Sequence, residues 1–240
     1  MSLTTPAHGA DPEPHEQSAT GRLNWLRAGV LGANDGIIST AGIVVGVAGA
    51  TAAREDLLIA GVAGGLAGAL SMAVGEYVSV STQRDAERAL IAVETRELEE
   101  TPDEELQELA DIYEGKGLSP VLARQVAAEL TARDSLAAHL DAELHLDPDD
   151  LTDPWQAAVA SFASFIVGAC IPLLAILLAS SSYRLALTFV AVLVGVALTG
   201  GISALLGGAP RGPAIRRNVV GGALVMAITY AVGSLVGGVI

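Results

Sequence analysis

Five long apolar stretches divide the chain, and each has the roughly 20 residues that an α-helix needs to cross a bilayer. The stretches are Ala28–Ala53, Leu57–Gln83, Trp155–Tyr183, Leu185–Gly208 and Asn218–Ile240. Asp35 is the only charged residue of the first, Glu76 is the only one of the second, and the other three have none. The pattern predicts five membrane helices, so the two chain termini are expected on opposite sides of the membrane.

A polar block separates the second stretch from the third, and it is predicted to be helical. The second helix is expected to continue to about Glu99. Thr101-Pro102-Asp103-Glu104 has the pattern of a capping box with proline at the first helical position, opening a helix that ends at Gly115. Ser119-Pro120 opens another helix, which is expected to reach about His145. The sequence thus predicts an all-α membrane protein with five transmembrane helices and a three-helix cytoplasmic domain inserted between the second and third.

The charged residues are concentrated in this block. Residues 84–153 hold 20 of the 27 acidic and 6 of the 13 basic residues. With 51% hydrophobic and 17% charged residues overall, the chain is not a single soluble domain. It has no basic patch for nucleic acid, and Cys170 alone cannot form a disulfide scaffold. The sequence predicts four segments: a disordered cytoplasmic tail at 1–21, transmembrane helices 1–2 at 22–83, an acidic helical metal-binding domain in the cytoplasm at 84–153, and transmembrane helices 3–5 at 154–240.

Arginine positions predict the orientation in the membrane. Arg22 and Arg27 precede the first helix, and Arg211, Arg216 and Arg217 lie between the fourth and fifth. A five-helix topology puts both groups on the side of the acidic block, and the positive-inside rule makes that side cytoplasmic. We expect an integral protein of a bacterial inner membrane, with the amino terminus and residues 84–153 in the cytoplasm and the carboxyl terminus outside.

The first helix carries a carboxylate, Asp35, within its apolar stretch. Placing it in the membrane costs about 2.5–3.5 kcal/mol, so such a group usually faces a polar path or partner. Asn34 and Gly36 disfavour regular helix, so we expect backbone carbonyls to be freed there as further oxygen ligands. The alternative is that Asp35 reaches headgroup water and only orients the helix.

The second helix offers Met72 and Glu76 on one face, since they are four residues apart. A thioether beside carboxylates suits a borderline-soft divalent metal. Alternatively, Met72 is apolar filler and Glu76 extends to the membrane surface. Glycines spaced by four along the first two helices predict close helix packing, with a dimer seam as the alternative.

The acidic block contains candidate metal ligands in pairs that share a helical face. The six candidates are Glu94, Glu97, Glu105, Glu108, His139 and Glu143. If they converge they form a divalent-metal site without thiolates, and otherwise they are a solvated acidic surface. A di-iron oxidase would need Glu-x-x-His on two helices, a spacing that does not occur in the sequence, so we do not expect an enzyme.

Two motifs and the acidic insert together resemble the vacuolar iron transporter family. The motifs are Asn34-Asp35-Gly36 and the stretch from Gly68 to Val80, GALSMAVGEYVSV. The resemblance implies a homodimer that moves Fe²⁺, and often Mn²⁺, out of the cytosol in exchange for protons, with no permanently bound cofactor. Its partners would be a second copy of the chain, divalent ions, protons and the lipid bilayer. Zn²⁺ would be a surrogate at the cytoplasmic site.

The resemblance also assigns roles to residues. It places Asp35, Ser71 and Met72 in a pathway lined by the first two helices at the dimer interface, with Asn34 and Glu76 beside them. It implies that five glutamates of the acidic block gather metal: Glu94, Glu97, Glu105, Glu108 and Glu143. Two departures concern selectivity: Gly65 stands where plant relatives carry a glutamate, and His139-Leu140 stands where they carry a methionine pair. The rival function is a membrane-anchored metal-binding or sensing protein that does not transport.

Overall fold

The computed structural model describes residues 15–147 and 151–239, with side chains from residue 29 onward. The α-helices are α1 His15–Ala50, α2 Arg54–Glu100, α3 Pro102–Gly115, α4 Pro120–His139, α5 Pro154–Leu178, α6 Arg184–Leu206 and α7 Arg211–Gly237. A π-helical turn, Leu140–Leu144, follows α4 directly. No strand occurs in these two ranges, so the all-helical class is confirmed.

Within the described residues, five helices are long and apolar enough to span a membrane, as predicted. They are Gly29–Ala50 within α1, together with α2, α5, α6 and α7. The protein is therefore an integral membrane protein. Helix α7 begins at Arg211, seven residues before the predicted apolar stretch, because Pro213 is tolerated in the first turn of a helix and the arginines after it favour helix.

The predicted tail differs from the structure in part. Residues 1–14 lie outside the described residues, but α1 begins at His15, so residues 15–21 are helical. The physical reason is local: Glu16, Gln17 and Ala19 are good helix formers, and the last proline of this segment is Pro14. The assignment of these seven residues to a disordered tail was wrong.

The chain forms two compact units. The membrane unit comprises residues up to Gly75 and from Ala157 onward, and the acidic unit comprises Glu76–Gln156. Helix α2 contributes to both. The largest core of the membrane unit is built by α1 with α6, α7 and neighbouring helices; its buried members are Ile37, Ala41, Val44, Val45, Leu57, Ile176, Val192, Val196 and Met226.

Glycines set the closest helix contacts of the membrane unit. A Cβ added to Gly36 would overlap the carbonyl oxygen of Phe165 in α5, and one added to Gly168 would overlap the carbonyl oxygen of Ala33 in α1. A Cβ on Gly233 of α7 would likewise overlap the carbonyl oxygen of Gly46. The prediction of close packing is confirmed, and these glycines serve contacts within one chain.

The acidic unit has a small core between α3, α4 and the π-helical turn. Its buried members are Leu109, Ala110, Ala127 and Ala142, with Leu106, Ile112, Tyr113, Leu130 and Ala138 packed around them. Leu122 of α4 is 44% exposed. The buried face of α4 is instead formed by Ala123 and Ala127, whose small side chains allow α3 to approach.

The predicted start of α3 is correct, but the capping box is absent. Pro102 is the first helical residue, as expected. The Thr101 hydroxyl, however, donates to the carbonyl oxygen of Glu97 at 3.1 Å instead of accepting from the first turn of α3. Since α2 continues to Glu100, Thr101 lies within reach of its last carbonyl groups, and that bond takes the place of the cap.

Candidate metal centre

Three buried side chains from three helices meet inside the acidic unit. His139 Nδ1 lies 2.9 Å from Glu94 Oε1 and 3.7 Å from Glu105 Oε2. One potential ligand atom from each residue lies within 4.8 Å of the others. His139 is completely buried, and Glu94 and Glu105 are 4% and 7% exposed. This geometry suits a single divalent cation held by one imidazole and two carboxylates.

Apolar neighbours along each helix hold these ligands in place. Glu105 lies in the first turn of α3, where a negative charge is favourable, and Leu109 one turn later is fully buried in the core. His139 immediately precedes Leu140, which is also fully buried. The packing that forms the small core therefore also directs the polar ligands inward.

The buried polar atoms of the cluster lack hydrogen-bond partners among the described residues. Neither ring nitrogen of His139 has one, and neither does Glu94 Oε1, because its contact with the ring lacks hydrogen-bond geometry. Buried polar atoms are normally paired, and each unpaired one costs about 1–3 kcal/mol. A metal ion accepts lone pairs from imidazole and carboxylate alike, so a bound cation would satisfy His139 Nδ1 and Glu94 Oε1.

The other three predicted ligands surround this buried group and affect its electrostatics. Burial raises the pKa of Glu94 to about 7, with further upward contributions from Glu143, Glu105, Glu97 and Glu108 in that order. Glu94 in turn lowers the pKa of Glu143 and so partly offsets the effect of burial there. Glu97, Glu108 and Glu143 are solvent-exposed. The structure thus groups three of the six predicted residues in a buried cluster, and the three exposed ones lie near enough to affect its electrostatics.

The remaining shifts follow the same physical causes. Burial raises the pKa values of Glu105 and Glu143, and neighbouring carboxylates including Glu108 and Glu97 raise them further. Burial lowers the pKa of His139, which favours the neutral ring that binds metals. Without a cation, burial first and the neighbouring carboxylates second favour the protonated form of Glu94, Glu105 and Glu143.

These shifts predict how the stability of the metal-free acidic unit depends on pH. The folded unit holds a proton on Glu94 up to about pH 7, whereas an unfolded glutamate loses it near 4.5, so the free energy of unfolding should fall as pH rises between these values. Glu105 and Glu143 act in the same direction. The lowered pKa of His139 has the opposite effect, since it makes the free energy of unfolding rise with pH below the ordinary value of 6.5. His139 is one group, however, and the three glutamates act in the other direction.

Thermal unfolding of the protein, followed by circular dichroism between pH 5 and 8, tests this. Mn²⁺ should stabilise more at pH 7.5 than at pH 5, because metal binding needs deprotonated carboxylates. Glu94→Gln should flatten the pH profile of the metal-free protein. Stability that rises with pH across this range would contradict the assigned burial of Glu94.

The membrane residues have distinct environments. Asp35 is exposed on α1, and the Ser39 hydroxyl donates to its Oδ1 at 3.1 Å. Asn34 is directed elsewhere: its Oδ1 accepts a hydrogen bond of 2.7 Å from the hydroxyl of Thr199 in α6. Asn34 therefore has a partner between helices of its own chain, and its place in a pathway stays a prediction.

The helix does not break at Asp35. α1 is continuous from His15 to Ala50, so the expectation that Asn34 and Gly36 free backbone carbonyls was wrong. The physical reason is tertiary: Gly36 lies where the backbone of α1 meets Phe165 of α5, and its missing side chain permits this approach.

The three candidate residues on α2 are Ser71, Met72 and Glu76. Ser71 is exposed, whereas Met72 is half-buried against the apolar cluster around Phe165. Glu76 is half-buried one helical turn further along, at the start of the acidic unit. Gly65 lies against the hydroxyl of Thr40. Because it is a glycine, this position offers no carboxylate. The pathway roles of the three candidates stay predictions.

Sequence comparison covers both units. The family model described as VIT family matches residues 26–234. The chain belongs to the VIT family. A similar protein of Acanthamoeba castellanii, named "Vacuolar iron transporter", is 44% identical over 229 residues, which is 94% of this chain and 83% of that protein.

Plant members of the VIT family are also similar over most of the chain. "Vacuolar iron transporter homolog 1" of Oryza sativa subsp. japonica is 36% identical over 217 residues, covering 90% of this chain and 75% of its own. "Vacuolar iron transporter homolog 2.1" of Arabidopsis thaliana is 31% identical over 226 residues, covering 94% and 87%.

Proposed function

We propose that this protein exports a divalent metal, Fe²⁺ and also Mn²⁺, from the cytosol in exchange for protons. The observation that carries the proposal is the buried cluster of Glu94, Glu105 and His139 in a chain of the VIT family. Such an exporter would protect the cytosol from excess iron or manganese. The metal is cargo, and no permanently bound cofactor is part of the proposal.

The donor set supports transition metals over the abundant alkaline-earth ions. Mg²⁺ and Ca²⁺ take oxygen ligands, whereas Fe²⁺, Mn²⁺ and Zn²⁺ also accept an imidazole nitrogen. The fully buried ring of His139 therefore favours the second group. Zn²⁺ serves as a redox-silent surrogate for Fe²⁺ at this cluster.

The membrane step is assigned to Asp35. A bare carboxylate in hydrocarbon is costly, and either a proton or a metal ion removes that cost. Exchange of one for the other at Asp35 therefore couples metal movement to proton movement. Ser71, Met72 and Glu76 are proposed to continue the pathway along α2, with the Met72 thioether as the softest ligand.

A homodimer is proposed because the Asp35 face of α1 is uncovered in one chain. Leu31, four residues before Asp35, is 63% exposed, and Asp35 itself is exposed. A second copy placed against this face would keep the carboxylate away from lipid and leave the pathway between the two chains.

The proposed orientation puts the acidic unit and the amino terminus in the cytoplasm and the carboxyl terminus outside, in a bacterial inner membrane. Exposed arginines Arg211, Arg216 and Arg217 at the start of α7 support this, since basic residues favour the cytoplasmic side. The acidic residues would then collect cations from the cytosol.

Metal uptake by reconstituted vesicles tests the function. With an acidic lumen, vesicles should accumulate Mn²⁺, or Fe²⁺ kept reduced, while the lumen becomes more alkaline; Mg²⁺ should not be taken up. Metal flux without proton movement would remove the coupling from the proposal. Metal binding without any flux would instead support the rival function, a membrane-anchored sensor.

A further inference from the structure

Helix α4 contains a break at Asp134, close to the metal centre. The backbone of Asp134 is extended, with φ −163° and ψ 99°, whereas the sequence predicted one continuous helix to about His145. The residues after it, 135–144, form a short helical piece that ends in the π-helical turn. We call it the ligand segment because it carries His139 and Glu143.

The side chain of Asp134 caps the ligand segment. Its Oδ1 accepts a hydrogen bond of 3.0 Å from the backbone N–H of Ala137. This is the N-cap arrangement, in which a side-chain oxygen satisfies an N–H group of the first turn that has no partner within the helix. In the sequence, Asp134 lies within a helical pattern and has no proline or glycine beside it, so nothing there indicated a break in the helix.

The other end of the ligand segment is fixed by the core. Leu140 and Ala142 are buried, with 0% and 4% of their surface exposed. The N–H of Leu146 donates to the Leu140 carbonyl at 2.9 Å, and the chain leaves through His145 in a left-handed conformation, with φ 52°. π-helical turns occur frequently at functional sites. The segment is thus held by packing at its carboxyl end and by the Asp134 cap at its amino end.

We propose that Asp134 is a positioning residue for the metal centre: its cap sets the rotation of the ligand segment so that His139 Nδ1 faces Glu94 and Glu105. Asp134 is exposed and acts through His139 rather than by touching the cluster. The two glutamates stand on α2 and α3, so loss of the cap leaves them in place. The inference rests on the proposed metal site.

Mn²⁺ binding to the full-length protein in lipid nanodiscs tests the proposal with two readouts. Titration followed by electron paramagnetic resonance gives the affinity, and pulsed measurements on the same sample detect a nitrogen nucleus coordinated to the metal. The wild type should show one imidazole nitrogen, which His139→Gln should remove. Asp134→Ala should bind about 10- to 100-fold more weakly, as when other residues that orient a ligand are lost, and should lose the nitrogen signal.

Asp134→Asn is the matched control, because it removes the charge and keeps the oxygen that accepts the cap bond. It should retain wild-type affinity and the nitrogen signal. If circular dichroism shows that Asp134→Ala does not fold, Asp134→Gly replaces it, since glycine is tolerated at the N-cap but offers no acceptor.

The outcomes separate this inference from the function it rests on. A wild-type protein without the nitrogen signal would overturn the metal centre itself. Wild-type behaviour of the capless variant, or equal losses in the Asn and Ala variants, would overturn only the positioning role of Asp134.

Discussion

Asp35→Asn is expected to abolish metal transport while leaving metal binding at the acidic unit intact. Asparagine keeps the size of the side chain and can still accept the hydrogen bond from Ser39, but it neither binds a proton nor offers a charge to the metal. If proton and metal exchange at this carboxylate, proton-driven Mn²⁺ uptake into vesicles should fall to the level of protein-free vesicles. Calorimetric titration with Mn²⁺ should remain that of the wild type.

Asp56→Asn is the matched control in the same unit. Asp56 lies at the start of α2 and is exposed, with a hydrogen bond from the Thr51 hydroxyl at 3.1 Å. The same chemical change there should leave uptake close to wild type. Wild-type uptake by Asp35→Asn would show that the coupling carboxylate lies elsewhere in the chain.

Glu94→Gln has the second largest expected effect, on metal binding. Glu94 makes the shortest contact with His139, and its carboxylate is buried within the cluster. Removing residues that merely support a metal ligand typically costs 10–100-fold in affinity, so loss of a direct ligand should weaken Mn²⁺ binding by about 100-fold or more. Helix content should be unchanged, because glutamine is nearly isosteric and favours helix as glutamate does.

The control for this variant is Glu99→Gln on the same helix. Glu99 is exposed, so the same change of charge occurs outside the cluster. Its titration with Mn²⁺ should match that of the wild type within about 2-fold, since exposed charges are screened by salt. Equal weakening by both variants would mean that the acidic unit attracts cations by its net charge, without a defined site.

The membrane helices could be predicted from sequence because bilayer thickness imposes a length that is visible in the apolar stretches. The pairs Glu94 with Glu97 and Glu105 with Glu108 could be predicted for a similar reason, since three-residue spacing fixes a shared face within one helix. How the helices meet was not visible. Only the structure shows that Glu94 and Glu105 join His139 below the surface while Glu108 stays at the rim.

Two of the wrong predictions concern positions where the local helix preference of the residues did not decide the backbone. Gly36 disfavours helix on its own, yet α1 continues through it because α5 approaches there. At Asp134 the opposite happened, because a helix was predicted and a break is found. No residue there predicts a helix end, yet the backbone is extended and the Asp134 side chain caps the ligand segment. For Gly36 the deciding contact is with another helix, and for Asp134 it is the residue's own side chain and backbone conformation.

The glycine contacts of α1 limit which parts of the membrane unit can move during a transport cycle. Gly36 and Gly168 allow the backbones of α1 and α5 to approach closely, and Gly233 allows the same for α1 and α7. Sliding or turning α1 would drive carbonyl oxygens into neighbouring helices, so we expect these three helices to move together and to keep Asp35 at a constant depth. In the proposed transport cycle, opening toward one compartment and then the other is therefore expected to come from other elements, which would move past Asp35.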